Sequence, residues 1–249
     1  LPGINVLENI VIHCINKEEF DSALEFAEIW TELAPYSSDA WQKKGFVLLR
    51  LDQLKDAMKA LNKSLNLNPA DPDTLICKAI VLHTNAMHND ALKIINQVLD
   101  MDSSNEEALF QKAVILQSLN NFKQAIEIFN YMSKIERYAK DAHQELAFCF
   151  HYLQNYERSI DHYKKAIDAD PYDYNNWYNI GIIYNLKEDY AEAVSAFDMA
   201  IAIKDNFVIA WHNKANTFAT MGMLPEAIQS YKEALKIKPK DRSEEHTSE

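Results

Sequence analysis

The sequence predicts an all-α chain, a solenoid of seven tandem 34-residue helix–turn–helix units. Three observations carry that expectation. Prolines and tryptophans recur at multiples of 34: Pro35, Pro69, Pro171 and Pro239 are spaced by 34, 102 and 68, and Trp41, Trp177 and Trp211 by 136 and 34. Two columns of small residues run through the units twelve positions apart. Glycine is scarce, with 4 in 249 residues, which argues against many tight-turned strands.

The period divides the chain into units 4–37, 38–71, 72–105, 106–139, 140–173, 174–207 and 208–241, with residues 1–3 as a fragment start. No insertion or deletion breaks it. Within each unit a first helix is expected over about positions 1–14 and a second over about 17–30. Positions 4, 7, 8 and 11 share one helical face, as do 20, 24 and 27. Position eight reads Val11, Gly45, Ala79, Ala113, Ala147, Gly181, Ala215, and position twenty reads Ala23, Ala57, Ala91, Ala125, Ser159, Ala193, Ala227. Small residues at both places let two antiparallel helices cross closely. Large residues fill position four (Trp41, Leu75, Trp177 and Trp211 among them), position eleven (Leu48, Phe150) and position twenty-four (Leu61, Phe129, Phe197).

Taken in order, the units differ in their signals. The first has Val11 where a small residue is usual, and Ala27 and Trp30 exchange the usual large and small sizes. The second opens at Ser38. The third opens on Asp71-Pro72, an N-cap followed by a proline suited to a first helical turn. The fourth opens on Glu106 and Glu107, which favour a helix N-terminus. The fifth places His143 in the tryptophan column. The sixth follows Asp173, a second N-cap signal, and its inter-helix loop reads Lys187-Glu188-Asp189. The seventh turns at Met221-Gly222. Proline at position 32 ends a second helix and redirects the chain, but units three, four and six carry Ser103, Arg137 and Asp205 there.

This pattern resembles the tetratricopeptide repeat over Ile4 to Asp241. Trp177, Ile180, Gly181, Tyr184, Tyr190, Ala193, Phe197 and Ala200 of the sixth unit match the family signature best. The resemblance implies a right-handed superhelical solenoid with first helices lining a concave groove at positions 2, 5, 9, 12 and 13. At those positions stand five carboxylates, one cation, Arg50, and an apolar strip at position nine: Ile12, Phe46, Ile80, Val114, Phe148, Ile182, then Asn216. That strip has two readings, a ligand-facing surface or packing against the neighbouring unit.

Chemistry finds little support. Glycine-rich phosphate loops, HExxH and GxSxG are absent. Cys14, Cys77 and Cys149 are far apart and read as buried thiols rather than a disulfide framework or zinc site. His83 and His88, five apart, would lie on different faces of one helix, unlike an i,i+4 metal pair. A metal, a cofactor and catalysis are therefore not expected. A net charge of −12 disfavours nucleic acid. No run of about 18 apolar residues suggests a membrane span, and no signal-peptide pattern opens the chain, so a cytoplasmic location is expected.

The chain does not begin with Met, so residues upstream are expected. Its last eight residues, Arg242 to Glu249, coincide with the in-frame translation of AGATCGGAAGAGCACACGTCTGAA, a common sequencing adapter. Residues 242–249 are expected to be a non-native tail and the natural chain to continue beyond Lys240; a natural acidic tail is the alternative.

The resemblance implies a non-catalytic protein-interaction scaffold that binds a peptide or partner segment in the groove. Co-chaperone relatives grip an acidic chaperone tail with lysine at position five and basic residues at position two. This chain has neither, so that clamp is not expected. Neutral or basic peptides with apolar side chains are expected instead, anchored by Phe46, Phe110, Phe148 and Tyr178. Asn179 and Asn213 hold equivalent places in adjacent units. With Tyr178, Ile182, His212 and Asn216 they mark the expected contact surface. Two other readings stand beside this one: the substrate-recruiting region of a larger enzyme, such as a glycosyltransferase or protease, and a structural protein that self-associates through its ends.

Overall fold

The computed structural model describes residues 4–237. Among the described residues fourteen helices follow one another, with no strand. They are α1 (Ile4–Asn16) and α2 (Phe20–Leu33), α3 (Ser38–Arg50) and α4 (Leu54–Leu67), α5 (Pro72–Thr84) and α6 (His88–Met101), and α7 (Glu106–Ser118) and α8 (Phe122–Met132). There follow α9 (Glu136–Tyr152) and α10 (Tyr156–Ala169), α11 (Tyr174–Leu186) and α12 (Tyr190–Ile203), and α13 (Val208–Thr220) and α14 (Leu224–Ile237). The chain forms two compact units that divide after Ala125, inside α8. The fragment start at residues 1–3, the end of the last repeat and the adapter-like tail lie outside the described residues.

Local chemistry sets the helix ends. Four first helices begin on a side-chain cap: Ser37, Asp71, Asn105 and Asp173 accept from the backbone N–H of Ala40, Thr74, Ala108 and Asn175 at 3.2, 2.8, 2.9 and 3.0 Å. The turn between paired helices is built alike each time. Its position fifteen is left-handed: Glu18, Asp52, Ala86, Asn120, Gln154 and Glu188 have φ between 57° and 65°, and Gly222 has 75°. The next N–H then closes on the carbonyl five residues back, as in Met87 to Leu82 at 2.9 Å and Asn155 to Phe150 at 2.8 Å. Gly222 suits this geometry, and Asp52 and Asn120 are residue types that tolerate it. Glu18, Ala86, Gln154 and Glu188 carry a β-carbon in a conformation that disfavours one.

One junction departs from the period. α8 stops at Met132 after 11 residues, and α9 starts at Glu136, four residues ahead of Lys140. Arg137 stands at position 32 in place of proline, which permits the early start but does not explain it, because Ser103 and Asp205 also lack the proline and α7 and α13 start on the period. No side chain caps Ile135.

Both small columns are buried throughout. They are small because of what lies opposite. A β-carbon on Gly45 would come within 2.6 Å of Leu61, and one on Gly181 within 2.7 Å of Phe197. Position eight of the first helix thus receives position twenty-four of the second. Two further columns are buried that the sequence reading passed over. Position three holds Ala40, Thr74, Ala108, Ala142, Asn176 and Ala210, and position ten holds Val47, Val81, Ile115, Cys149, Ile183 and Thr217. These pack on the preceding second helix: Ile160 and Ile167 cluster with Ile180 and Ile183, and Ile201 with Ala210.

The tryptophans of position four are only half-buried. Each indole N–H donates backwards across a junction, Trp41 to Pro35 O at 2.9 Å, Trp177 to Pro171 O at 2.9 Å and Trp211 to Asp205 O at 3.0 Å. Trp30 instead fills the core, and its indole N–H finds no partner.

Two substitutions test this packing in opposite directions. Gly181→Ala should destabilise by about 1–3 kcal/mol through overpacking, despite alanine's better helix propensity. Ala86→Gly should stabilise by up to about 1 kcal/mol, because the turn needs a left-handed residue. Urea denaturation followed by circular dichroism reads both.

Candidate functional site

With positions 3, 8 and 10 turned into the packing, the first helices leave positions 2 and 9 and most of positions 5 and 6 at least partly exposed, while Gln42, Ile76 and Cys77 are buried. Position nine is partly exposed. Ile12 and Phe148 are 36% and 38% exposed, and Phe46, Ile80, Val114 and Ile182 are half-buried. Phe46 and Ile80 also pack against the neighbouring core, so the strip combines both readings, partly open surface and packing.

Each compact unit has a pocket on this surface. In the first, a 270 Å³ pocket is floored by Ile15, Phe46, Ile76 and Ile80 and rimmed by Gln42, Lys43, Asp73 and Glu107, with Cys77 beneath. Burial first, and then Asp73, pushes the Cys77 thiol up to about 12, so it is an apolar lining group and not a nucleophile. Lys43 stands at position six. Arg50 is thus not the lone cation of the groove, and its guanidinium lies over the Phe20 ring at 5.0 Å.

The second unit has a 280 Å³ pocket lined by Gln144, Glu145, Phe148, Tyr163, Asp173, Asn175, Asn176 and Asn179. Gln144 Nε2 donates to Asp173 Oδ2 at 2.8 Å and to Asn176 Oδ1 at 2.9 Å. The Asp173 carboxylate can only accept, so it fixes the orientation of both amides. Two larger hollows, of 580 and 560 Å³, lie away from the groove, where second helices flank Trp41 and Trp177.

Family models for the tetratricopeptide repeat match residues 38–71, 106–130, 141–173, 162–195 and 208–241, more than half of the chain. The chain belongs to the tetratricopeptide repeat family. No curated protein matches it. Among solved structures it is similar to a tetratricopeptide repeat protein from Parabacteroides merdae ATCC 43184, at 16% identity and a TM-score of 0.70, covering 96% of this chain and 94% of that one. It is also similar to the APC/C hetero-tetramer Cut9-Hcn1, at 17% identity and a TM-score of 0.75, covering 92% of this chain and 45% of that one. A third is YrrB, described as a tetratricopeptide repeat protein with an unusual peptide-binding site, at 18% identity and a TM-score of 0.56, covering 76% of this chain and 97% of that one. At these identities the likeness is one of fold.

Tetratricopeptide repeats serve generally as protein-interaction scaffolds, and none of the described helices is long and apolar enough to cross a membrane. The anticipated contact residues are distributed unevenly in these repeats. Phe46 lines the first pocket, and Phe148 and Asn179 line the second. Phe110 is half-buried on α7, and Ile182 on α11. The last two repeats spend several polar groups internally. Asn213 Nδ2 donates to the Tyr178 hydroxyl at 2.9 Å, and the Tyr231 hydroxyl donates to Asn216 Oδ1. The Tyr178 ring packs on Phe207 at 5.1 Å, and burial raises its phenol above the usual range while Asn213 opposes that. The His212 ring lies 5.9 Å from Tyr231. Asn179 and Asn213 thus have different surroundings although they are equivalent in sequence.

The histidines also differ from expectation. His83 ends α5 and His88 begins α6, so the turn folds them together, with Nδ1 atoms 3.1 Å apart. His143 and His162 meet in the same way, also at 3.1 Å. The reading of His83 and His88 as lying on opposite faces assumed one continuous helix. In each pair one nitrogen must be a donor and the other a lone pair, an arrangement that double protonation breaks.

Burial holds His83, His143 and His151 below the ordinary histidine value. His162 falls to about 4 through burial, then His143 and Lys165, with Asp161 opposing and Arg158 adding. These folded values lie below the unfolded value of about 6.5, so the unfolded chain binds protons first. Their stabilisation is present above about pH 6.5 and is lost as pH falls from there towards about 4. Urea midpoints should therefore drop between about pH 7 and about pH 5, and His162→Leu should flatten that slope.

Proposed function

We propose that this protein is a non-catalytic interaction scaffold of seven 34-residue repeats, residues 4–241, that holds an extended peptide segment along its first helices. The observation that carries the reading is the half-exposed apolar column at position nine, which opens into a pocket in each compact unit. The first pocket suits one apolar side chain of a ligand, and the second, where amides and carboxylates surround Phe148 and Tyr163, suits a polar group. Around the pockets Asp73, Glu107, Glu145 and Asp173 outnumber Lys43. A neutral or basic segment fits that field, and an acidic chaperone tail does not. The amides of Asn175 and Asn179 can pair with peptide groups of any sequence. Its similarity to YrrB, described with a peptide-binding site, supports the same class of ligand. Asn179, Ile182, Phe148, Phe110 and Phe46 are the contacts in this reading, with Tyr178, His212, Asn213 and Asn216 continuing the surface through the last repeats.

The test uses fluorescence anisotropy with a panel of basic, neutral and acidic peptides carrying aromatic or aliphatic residues. The double variant Phe148→Ala with Asn179→Ala should weaken binding of the best peptide by about 1–3 kcal/mol. Asn62→Ala with Asn96→Ala, on second helices, should leave it unchanged. Added salt should weaken basic peptides most. Equal loss from both pairs, or a preference for acidic peptides, would contradict the proposal.

A further inference from the structure

The turn inside a repeat returns position seventeen of the second helix towards position twelve of the first. Ile15 and Phe20 pack on one apolar cluster there, and the rings of His151 and Tyr156 lie 6.3 Å apart. In the third repeat both positions are histidine. His83 stands in the last turn of α5, and His88 opens α6. Their rings lie 4.8 Å apart at 53°, with Nδ1 facing Nδ1 at 3.1 Å. The objection to a metal drawn from the sequence, that residues five apart diverge on a helix, does not hold across a turn.

Two imidazole nitrogens bound to one ion at about 2.0–2.1 Å stand about 2.8–3.4 Å apart, for angles between square-planar and tetrahedral. The separation of His83 and His88 falls inside that interval. In the bare pair one Nδ1–H donates to the other Nδ1. An ion takes both lone pairs, and each ring then carries its proton on Nε2. Ser118 Oγ lies 3.5 Å from His83 Nε2, placed to accept that proton's hydrogen bond. With His83 in that tautomer, only His88 has to move its proton from Nδ1 to Nε2, and the pair loses none.

Both side chains are half-buried, and Thr84, Asn85, Ala86 and Met87 of the turn between them are exposed. Among the described residues no third histidine, cysteine or carboxylate completes a metal cluster, so water takes the remaining positions. Burial holds His83 below the ordinary histidine value, which leaves it neutral at pH 7, and apart from burial only His88 bears on its protonation.

The other histidine pair is an internal comparison. His143 and His162 have the same Nδ1 separation of 3.1 Å. There Phe150 stacks on His162 at 5.4 Å and 11°. Lys165 and Arg158 also act on His162 against added positive charge, with Asp161 opposing them. Equal spacing thus meets a field unfavourable to a cation in one pair and not in the other.

We propose that His83 and His88 form a two-histidine site for a divalent transition metal ion that favours imidazole, such as zinc, and not for magnesium or calcium. The ion joins the end of α5 to the start of α6 and keeps open coordination positions towards solvent. The proposal does not rest on the groove reading.

The full chain is titrated with zinc chloride by calorimetry at pH 7.5, and with magnesium chloride in parallel. Zinc should bind and magnesium should not. The variants borrow residues that the fourth repeat carries at the same places, Gln117 and Phe122 for this pair and Leu109 and Ile128 for the other. His83→Gln and His88→Phe should each weaken zinc by at least about tenfold. His143→Leu with His162→Ile should change its affinity by less than about twofold. Nitrogen-15 spectra of the unsubstituted chain give a second readout, in which zinc should shift Nδ1 of His83 and His88 and leave those of His143 and His162 in place. Absence of zinc binding, affinity that survives His83→Gln, or Nδ1 shifts confined to His143 and His162 would overturn the proposal.

Discussion

The close crossing of two helices within each repeat is the constraint on which the rest depends. It requires a residue without bulk at position eight, because position twenty-four drives Leu61 or Phe197 into that place. Once the crossing is fixed, the rotation of the first helix is fixed as well. Positions three and ten then face the preceding second helix and become the inter-repeat core. What remains partly open to solvent is the strip through positions two and nine and most of positions five and six, with Gln42, Ile76 and Cys77 buried. The apolar content of that strip is thus surface left over by the packing within each unit.

Charge and hydrogen bonding then divide that strip into different environments. In the first unit the pocket has an apolar floor, and Lys43 stands among carboxylates. In the second unit amides dominate, ordered by the Asp173 carboxylate through Gln144. Asp173 also accepts from the N-terminus of α11, so one side chain both starts a helix and orients groove amides. Helix capping and the orientation of neighbouring amides are coupled at that residue.

The architecture was legible in the sequence because it rests on residue size at fixed spacing. Columns eight, twenty and twenty-four announced the crossing, and Asp71 and Asp173 announced two helix starts. The remainder was hidden for particular reasons. The early start of α9 has no distinct signal, because Ser103 and Asp205 lack the same proline as Arg137 while α7 and α13 start on the period. The left-handed turn residues were invisible because Glu18, Ala86 and Gln154 carry no preference for that conformation; the turn's hydrogen bonds impose it. The histidine pairs were missed because sequence distance was read along one helix, whereas a turn returns the chain upon itself. The asparagines of the last two repeats looked equivalent by period, yet Tyr178 engages Asn213 and leaves Asn179 facing a pocket. Period fixes where a side chain stands, but its partners come from residues outside the repeat pattern.

The indole-to-carbonyl bonds of Trp41, Trp177 and Trp211 have a spectroscopic consequence. Each indole reports the junction that its own hydrogen bond spans, between the first and second, fifth and sixth, and sixth and seventh repeats. The remaining tryptophan, Trp30, sits in an apolar core with a free N–H. Its emission is blue-shifted relative to the other three for as long as the first repeat stays closed. The protein therefore carries four intrinsic fluorophores in two distinguishable environments. Fraying at the first repeat and loosening at later junctions would register as separate spectral events without any label.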